Sequence, residues 1–261
     1  MFFTALGKAA KTIIINPLIL LPAIIVGILS LAVGNFVEYI LSRPITDFLL
    51  YSDTFTNENI IYTILTNYPV EIVELLVAGF VMLTISFIAM YAISKRASGK
   101  GVGESINDAV MNWKRCVTES VFFYLLIIVV FAVLFAISWV FSTIGFAAGG
   151  AVNDFLNIIL VPVIFIIILA LVAVKVAFIL PAITESKLKT ALQKSSAFSN
   201  GRFIPAILFI IVAAIIYWLI SSAFYYAALW FVDFDFVFFI IGDAIALTYL
   251  VLAISYYYFL E

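Results

Sequence analysis

Six long apolar segments run along the chain, each separated from the next by a shorter stretch that carries charges. A bilayer core of roughly 30 Å is crossed by about 20 helical residues. Backbone polar groups inside the hydrocarbon must be bonded within their own segment, so segments of this length are predicted to be helices. The pattern therefore predicts an all-α integral membrane fold with six transmembrane helices, at residues 13–34, 70–94, 121–144, 156–183, 203–231 and 236–259.

Three shorter stretches also have apolar residues at helical spacing, and each comes before a pair of spans. The stretches are marked by Phe2, Leu6, Ala9 and Ile13, by Ile106, Ala109, Val110, Trp113 and Val117, and by Leu188, Ala191, Leu192 and Ser195. Such short helices are typical of segments that lie in the membrane interface with the apolar face toward lipid. We therefore predict three hairpins, each preceded by a short cytoplasmic amphipathic helix.

The basic residues are distributed very unevenly between the two sides of the predicted spans. Arg43 alone lies on one side, and Lys175 lies within a span. The other side holds the remaining eleven: Lys8, Lys11, Lys95, Arg96, Lys100, Lys114, Arg115, Lys187, Lys189, Lys194 and Arg202. Loops rich in Lys and Arg stay in the cytoplasm. We predict a multi-pass protein of the cytoplasmic membrane with both termini in the cytoplasm.

Composition narrows the classes of function. Of 261 residues, 66% are hydrophobic and 11% charged, against about a quarter charged in soluble domains. This predicts a single membrane domain over residues 1–261. The net charge of −2 gives no reason to expect nucleic-acid binding. Histidine is absent and Cys116 is the single cysteine, which disfavours metal sites and histidine-based catalysis. We predict no cofactor and no enzyme activity, with the lipid bilayer and a protein partner or second copy as the partners.

Charges within a span are costly, which makes each one a functional candidate. Asp243 lies in the sixth span and Glu74 in the second, at comparable predicted depths. They could share a proton or bind a cation if they face each other. Alternatively, Asp243 caps a locally opened helix beside Gly242 or bonds a neighbouring hydroxyl. Lys175, in the fourth span, either extends its ammonium to the cytoplasmic surface or forms a buried cation on a substrate path.

Other positions bear on helix shape and on lipid contact. Pro181 is predicted to kink the fourth span or mark its exit. Small residues four apart, Ala23 with Gly27 and Gly242 with Ala246, favour close helix packing. Basic side chains of the third cytoplasmic stretch are candidate contacts for lipid headgroups: Lys187, Lys189, Lys194 and Arg202.

One stretch of the chain resembles a known group of membrane proteins. It contains Leu180-Pro181-Ala182-Ile183, then Ala191-Leu192-Gln193-Lys194-Ser195-Ser196, then Gly201-Arg202-Phe203. Over about residues 175–210 this is similar to uncharacterised prokaryotic six-span proteins, which resemble the membrane domain attached to some glycerophosphoryl diester phosphodiesterases. The resemblance implies a fold and an inner-membrane location. It implies no activity, because the phosphodiesterase chemistry belongs to a separate soluble domain.

These observations lead to two hypotheses of function. The basic amphipathic helices and the scarcity of catalytic residue types favour a non-enzymatic scaffold or membrane-organising component. The intramembrane charges and the proline in the fourth span favour a transporter or channel for an ion, a small solute or a lipid. A substrate path lined by Asp243 and Lys175 would favour the transporter hypothesis over the scaffold hypothesis.

Overall fold

The fold is helical throughout the part of the chain that can be described. The computed structural model describes residues 1–50, 67–149, 152 and 155–260, and every regular element within these ranges is a helix. Six helices there are long and apolar enough to cross a membrane: Pro17–Ser42, Pro69–Ala97, Trp113–Gly145, Phe155–Glu185, Phe203–Trp230 and Asp235–Leu260. The prediction of an all-helical chain with six candidate spans is confirmed.

The spans and their connections comprise ten α-helices within the described ranges. In chain order these are α1 Phe2–Ile15, α2 Leu21–Leu50, α3 Pro69–Ala97, α4 Val102–Met111, α5 Trp113–Ala148, α6 Val161–Ala177, α7 Ile179–Glu185, α8 Leu188–Gly201, α9 Phe203–Trp230 and α10 Asp235–Leu260. Short 3₁₀ segments precede α2 (Pro17–Leu20) and α10 (Val232–Phe234), and a π-helical segment, Phe155–Leu160, leads into α6.

Two boundaries differ from the prediction for a local chemical reason. The first span does not begin at Ile13, because α1 continues to Ile15. The helix is then interrupted at Asn16, just before Pro17. Proline disfavours helical geometry in the residue before it. Further along, α4 ends at Met111 and is capped by Asn112, whose side-chain amide donates to the Asp108 carbonyl at 2.8 Å. The residues after Asn112 therefore belong to the span helix α5.

The helix α10 lies at the centre of the packed region. Its residues Leu252 and Ala253 are fully buried, in a core shared with Ala5 and Ala9 of α1. The ring of Tyr257 stacks on Phe209 of α9 with a centroid separation of 4.1 Å. Apolar burial on this scale is what holds this half of the bundle together.

Each of the three short helices α1, α4 and α8 turns a face of small residues toward the spans. The small buried residues are Ala5 and Ala9 in α1, Ser105 and Ala109 in α4, and Ala191, Ser195 and Ser199 in α8. The helix α1 packs on α10, α4 on α3, and α8 on α6 and α7. Residues this small allow close backbone approach. Part of the faces that the spacing predicted to lie on lipid is thus covered by the protein itself, whereas Val110 and Trp113 of these faces are exposed.

Candidate functional site

A groove opens between three spans around Asp243. It has a volume of about 230 Å³ and is walled by α2, α9 and α10, with Ser30, Tyr217 and Phe239 among its lining residues. The hydroxyl of Ser221 donates to Asp243 Oδ1 at 3.3 Å. Asp243 lies eight residues into α10, which is about 12 Å from the start of that helix. The arrangement places one exposed carboxylate among hydroxyls and aromatic rings within the span.

Close packing on both sides of α10 creates this groove. A Cβ at Gly27 of α2 would lie 3.2 Å from Ile240 Cγ2, and a Cβ at Gly242 would lie 2.4 Å from Phe224 Cβ of α9. The pairs of small residues identified in the sequence therefore lie where α10 packs closely against α2 and α9. Tyr217 and Ser221 are one turn apart on α9 and face the same groove.

Glu74 is not brought to Asp243. The hydroxyl of Ser255 in α10 donates to Ser94 Oγ in α3 at 2.8 Å, which sets the register of the two helices. Both run in the same direction, since Leu83 and Leu247 meet farther back along them at a shared cavity. Twenty residues, about 30 Å, separate Glu74 from Ser94, against twelve residues and about 18 Å from Asp243 to Ser255. Glu74 lies about 12 Å farther along the bundle axis.

Lys175 points toward the short helix α8. It lies in the last turn of α6. Its ammonium donates to Asn200 Oδ1 and, at 3.4 Å, to Ser196 Oγ, both in α8. Its backbone carbonyl accepts a bond from Ser195 Oγ at 2.7 Å. The side chain therefore fastens α8 to the fourth span, and no side-chain bond of the described residues connects it to the Asp243 groove.

Substitution of Lys175 by methionine is expected to loosen α8. Hydrogen bonds from a charged donor contribute about 1.5–3 kcal/mol, and methionine preserves the apolar stem while removing them. We expect faster amide hydrogen exchange in Leu188–Gly201 than in the wild type, with the rest of the bundle unchanged. Lys187→Met, at an exposed residue just before α8, is the control. Equal exchange in both variants would show that the Lys175 bonds contribute nothing.

The remaining predicted residues lie around this docked helix. The break between α6 and α7 falls at Phe178, three residues before Pro181, whose ring clashes with the carbonyl four residues earlier. The side chains of Lys187, Lys189, Lys194 and Arg202 are all exposed. Lys194 pairs with Glu185 at 3.6 Å, and the Arg202 guanidinium lies 5.9 Å from the centre of the Phe198 ring.

A second polar site, which the sequence analysis missed, lies at the end of the spans nearest α7 and α8. Glu119 of α5 is only 2% exposed, and its Oε1 accepts from Arg115 Nε at 2.7 Å. The same guanidinium donates through Nη2 to the carbonyls of Ile183, at 2.6 Å, and Ser186. The final carbonyls of a helix have no partner within the helix. Arg115 therefore supplies a cap for α7 while it neutralises a buried carboxylate.

Lys95 completes this polar cluster from a third helix. Its ammonium, at the end of α3, donates to the Thr184 carbonyl at 2.5 Å. Two cations from different helices thus converge on the last turn of α7. This cluster could not be recognised in the sequence, because Glu119 lies just before the span predicted to begin at Val121. A carboxylate at the end of a span is expected to be solvated. The spacing of Arg115 and Glu119, four residues apart on one helix, was the available signal.

No family model, no curated protein and no solved structure matches the chain. The resemblance of residues 175–210 to the phosphodiesterase-associated membrane domain thus stays a prediction. The chemistry of the two polar sites has to be argued from their own geometry.

Proposed function

We propose that this chain is a non-enzymatic, multi-pass component of the cytoplasmic membrane that organises lipid or a partner protein at the cytoplasmic surface. Its six spans form three hairpins, each preceded by a cytoplasmic helix, and both termini lie in the cytoplasm. The eleven-to-one distribution of basic residues supports this orientation. A membrane-impermeant maleimide tests it: Lys187→Cys should react only from the cytoplasmic side and Val232→Cys only from the opposite side.

The apolar layer between the two polar sites carries this proposal. A cavity of about 270 Å³ lies among α3, α5, α6, α7 and α10, lined almost entirely by apolar side chains such as Phe87, Leu250 and Ile254. Its polar lining residue, Ser120, is already bonded to Thr84 Oγ1 at 2.9 Å and to the Val117 carbonyl at 2.8 Å. An ion crossing this layer would lose its hydration without compensation. The arrangement favours a scaffold over a conducting pore.

The cytoplasmic helices supply the organising surface. The small-residue faces of α1, α4 and α8 and the bonds of Arg115, Lys95 and Lys175 hold this surface in a fixed position. Its outer side presents exposed cations, of which four cluster on and beside α8: Lys187, Lys189, Lys194 and Arg202. Each basic residue near an anionic leaflet contributes about 1 kcal/mol of attraction. The proposed ligand of this surface is the headgroup of an anionic phospholipid.

Neutralising the four cations to glutamine is expected to reduce retention of anionic lipid at least tenfold. The expectation follows from about 1 kcal/mol per residue, since 1.4 kcal/mol already corresponds to a factor of ten. The measurement is the ratio of phosphatidylglycerol to phosphatidylcholine that stays with the protein purified from mixed micelles. A control with Thr190→Asn and Gln193→Asn changes exposed neutral residues of the same helix. An unchanged lipid ratio in the fourfold variant would contradict the proposal.

Transport is the second candidate, and the Asp243 groove is the observation that favours it. An exposed carboxylate within a span, beside the hydroxyl of Ser221, is typical of proton and solute pathways. Solute flux into liposomes containing the wild type or Asp243→Asn tests this alternative. Flux that falls in the variant would replace the scaffold proposal by transport.

A further inference from the structure

We propose that the groove around Asp243 binds a small organic ammonium ion. This goes beyond the organising role, because the groove lies in the other half of the bundle from the cytoplasmic helices and has its own chemistry. The proposal rests on three properties of the groove: its uncompensated negative charge, its few oxygen ligands and its aromatic lining.

The negative charge of Asp243 requires a partner. A carboxylate about 12 Å along a spanning helix is costly unless it is neutralised. Ser221 donates one bond of 3.3 Å, and among the described residues no cation pairs with Asp243. The intramembrane cation Lys175 is engaged with α8 at the cytoplasmic end. A cationic ligand in the groove would supply the compensating charge.

The oxygen atoms available in the groove are too few for a bare metal ion. The helices α2, α9 and α10 run without interruption past the groove, so their carbonyls are engaged in their own hydrogen bonds. Only the carboxylate and the hydroxyls of Ser30, Tyr217 and Ser221 are left. Calcium, for comparison, takes six to eight oxygen ligands. An ammonium needs a single counter-charge and no such shell.

Shape and lining fit an organic cation. Tyr217 and Phe239 bring aromatic rings to the groove, and apolar side chains of α2 and α10 form the rest of its wall. Aromatic faces attract alkylammonium groups and are the usual means by which proteins recognise them. The volume of about 230 Å³ exceeds the roughly 150 Å³ of a cavity that holds benzene. A tetramethylammonium ion or a somewhat larger amine therefore has room.

The test measures thermal unfolding of the full chain in neutral detergent with tetramethylammonium chloride or sodium chloride at equal ionic strength. A ligand that binds only the folded state raises the unfolding temperature in a saturable way. We expect this response to tetramethylammonium and not to sodium. It should vanish in Asp243→Asn, weaken severalfold in Tyr217→Leu and persist in Glu74→Gln, which removes a carboxylate of the second span that lies away from the groove. Equal responses to both salts, no response, or a full response in Asp243→Asn would each overturn the proposal.

A second measurement on the wild type removes any dependence on how well the variants fold. Dicyclohexylcarbodiimide modifies protonated carboxyl groups in apolar surroundings, and mass spectrometry of the Asp243 peptide gives the rate. Bound tetramethylammonium covers the carboxylate, so the rate should fall severalfold with tetramethylammonium and stay constant with sodium. A rate that neither salt changes refutes the ammonium site.

Discussion

Gly242→Ala is expected to destabilise the protein by about 1–3 kcal/mol, although it adds a single methyl group. A Cβ at this position would lie 2.4 Å from Phe224 Cβ and 2.7 Å from Phe224 Cγ. Both atoms lie next to the backbone of α9, so a rotation about the side-chain bonds cannot relieve the contact. Either α9 or α10 has to move. We expect a lower unfolding temperature by size-exclusion chromatography of heated samples, together with a change in the neighbouring Asp243 groove.

Gly34→Ala provides the matched control in another span. A Cβ there would meet nothing within 4 Å, so the same chemical change carries no steric cost. Alanine is also the better helix former by up to about 1 kcal/mol. We expect Gly34→Ala to be neutral or slightly stabilising. If both substitutions lowered stability equally, the loss of stability would come from replacing any helical glycine. The close contact between α9 and α10 would then be unimportant.

The number of spans could be predicted because it depends on apolar length alone. The helices α5 and α9, for example, contain long apolar runs that have no other place than a bilayer. The close contacts at Gly27 and Gly242 were also visible, since small residues four apart mark one face of a helix. Both features are local in the chain, and their physical cause is contained in a single segment.

The arrangement of the spans relative to one another could not be predicted, because it is not a local property of any single segment. A span that is apolar on every side has no preferred face for a neighbour, so its sequence does not encode its partner. The Ser94–Ser255 bond sets the register of α3 and α10 and separates Glu74 from Asp243, yet nothing in the two segments marks these serines. Lys175 likewise had two possible directions until α8 was in place to supply Asn200.

The three short helices α1, α4 and α8 were predicted in part. Their helical spacing was visible, and α1, α4 and α8 are all present. The spacing could not tell whether lipid or protein covers the face formed by Ala5 and Ala9 or by Ala191 and Ser195. Small side chains favour coverage by protein, because they bury little apolar area in lipid but permit close packing on another helix.

The largest effect in the molecule is expected for the pair of Arg115 and Glu119. Arg115→Leu removes the partner of a carboxylate that is 2% exposed and also the donor to the Ile183 and Ser186 carbonyls. Removing one member of a buried ion pair typically costs about 3–5 kcal/mol. We expect a corresponding loss of stability in thermal unfolding and release of the segment Ile179–Glu185, seen as faster hydrogen exchange.

The double variant Arg115→Leu/Glu119→Leu separates the charge effect from the capping effect. Replacing a whole buried ion pair by apolar residues is often neutral or stabilising. Stability should therefore recover for the most part, while exchange at Ile179–Glu185 stays fast because the carbonyls of α7 still lack Arg115. The exposed pair of Lys194 and Glu185, 3.6 Å apart, is the control. Its disruption should change stability by no more than about 1 kcal/mol.

Three outcomes of this double-mutant cycle lead to different interpretations of the platform, by which we mean α7, α8 and the polar cluster of Arg115, Glu119 and Lys95. A stable double variant with a loosened α7 means that Arg115 serves chiefly as the cap that attaches α7 to the third span. A double variant as unstable as Arg115→Leu means that the carbonyl bonds, and not the buried charge of Glu119, dominate the energetics. If Arg115→Leu is no more harmful than Lys194→Leu, the cluster does not hold the platform, and α8 depends on Lys175 and its small-residue face instead.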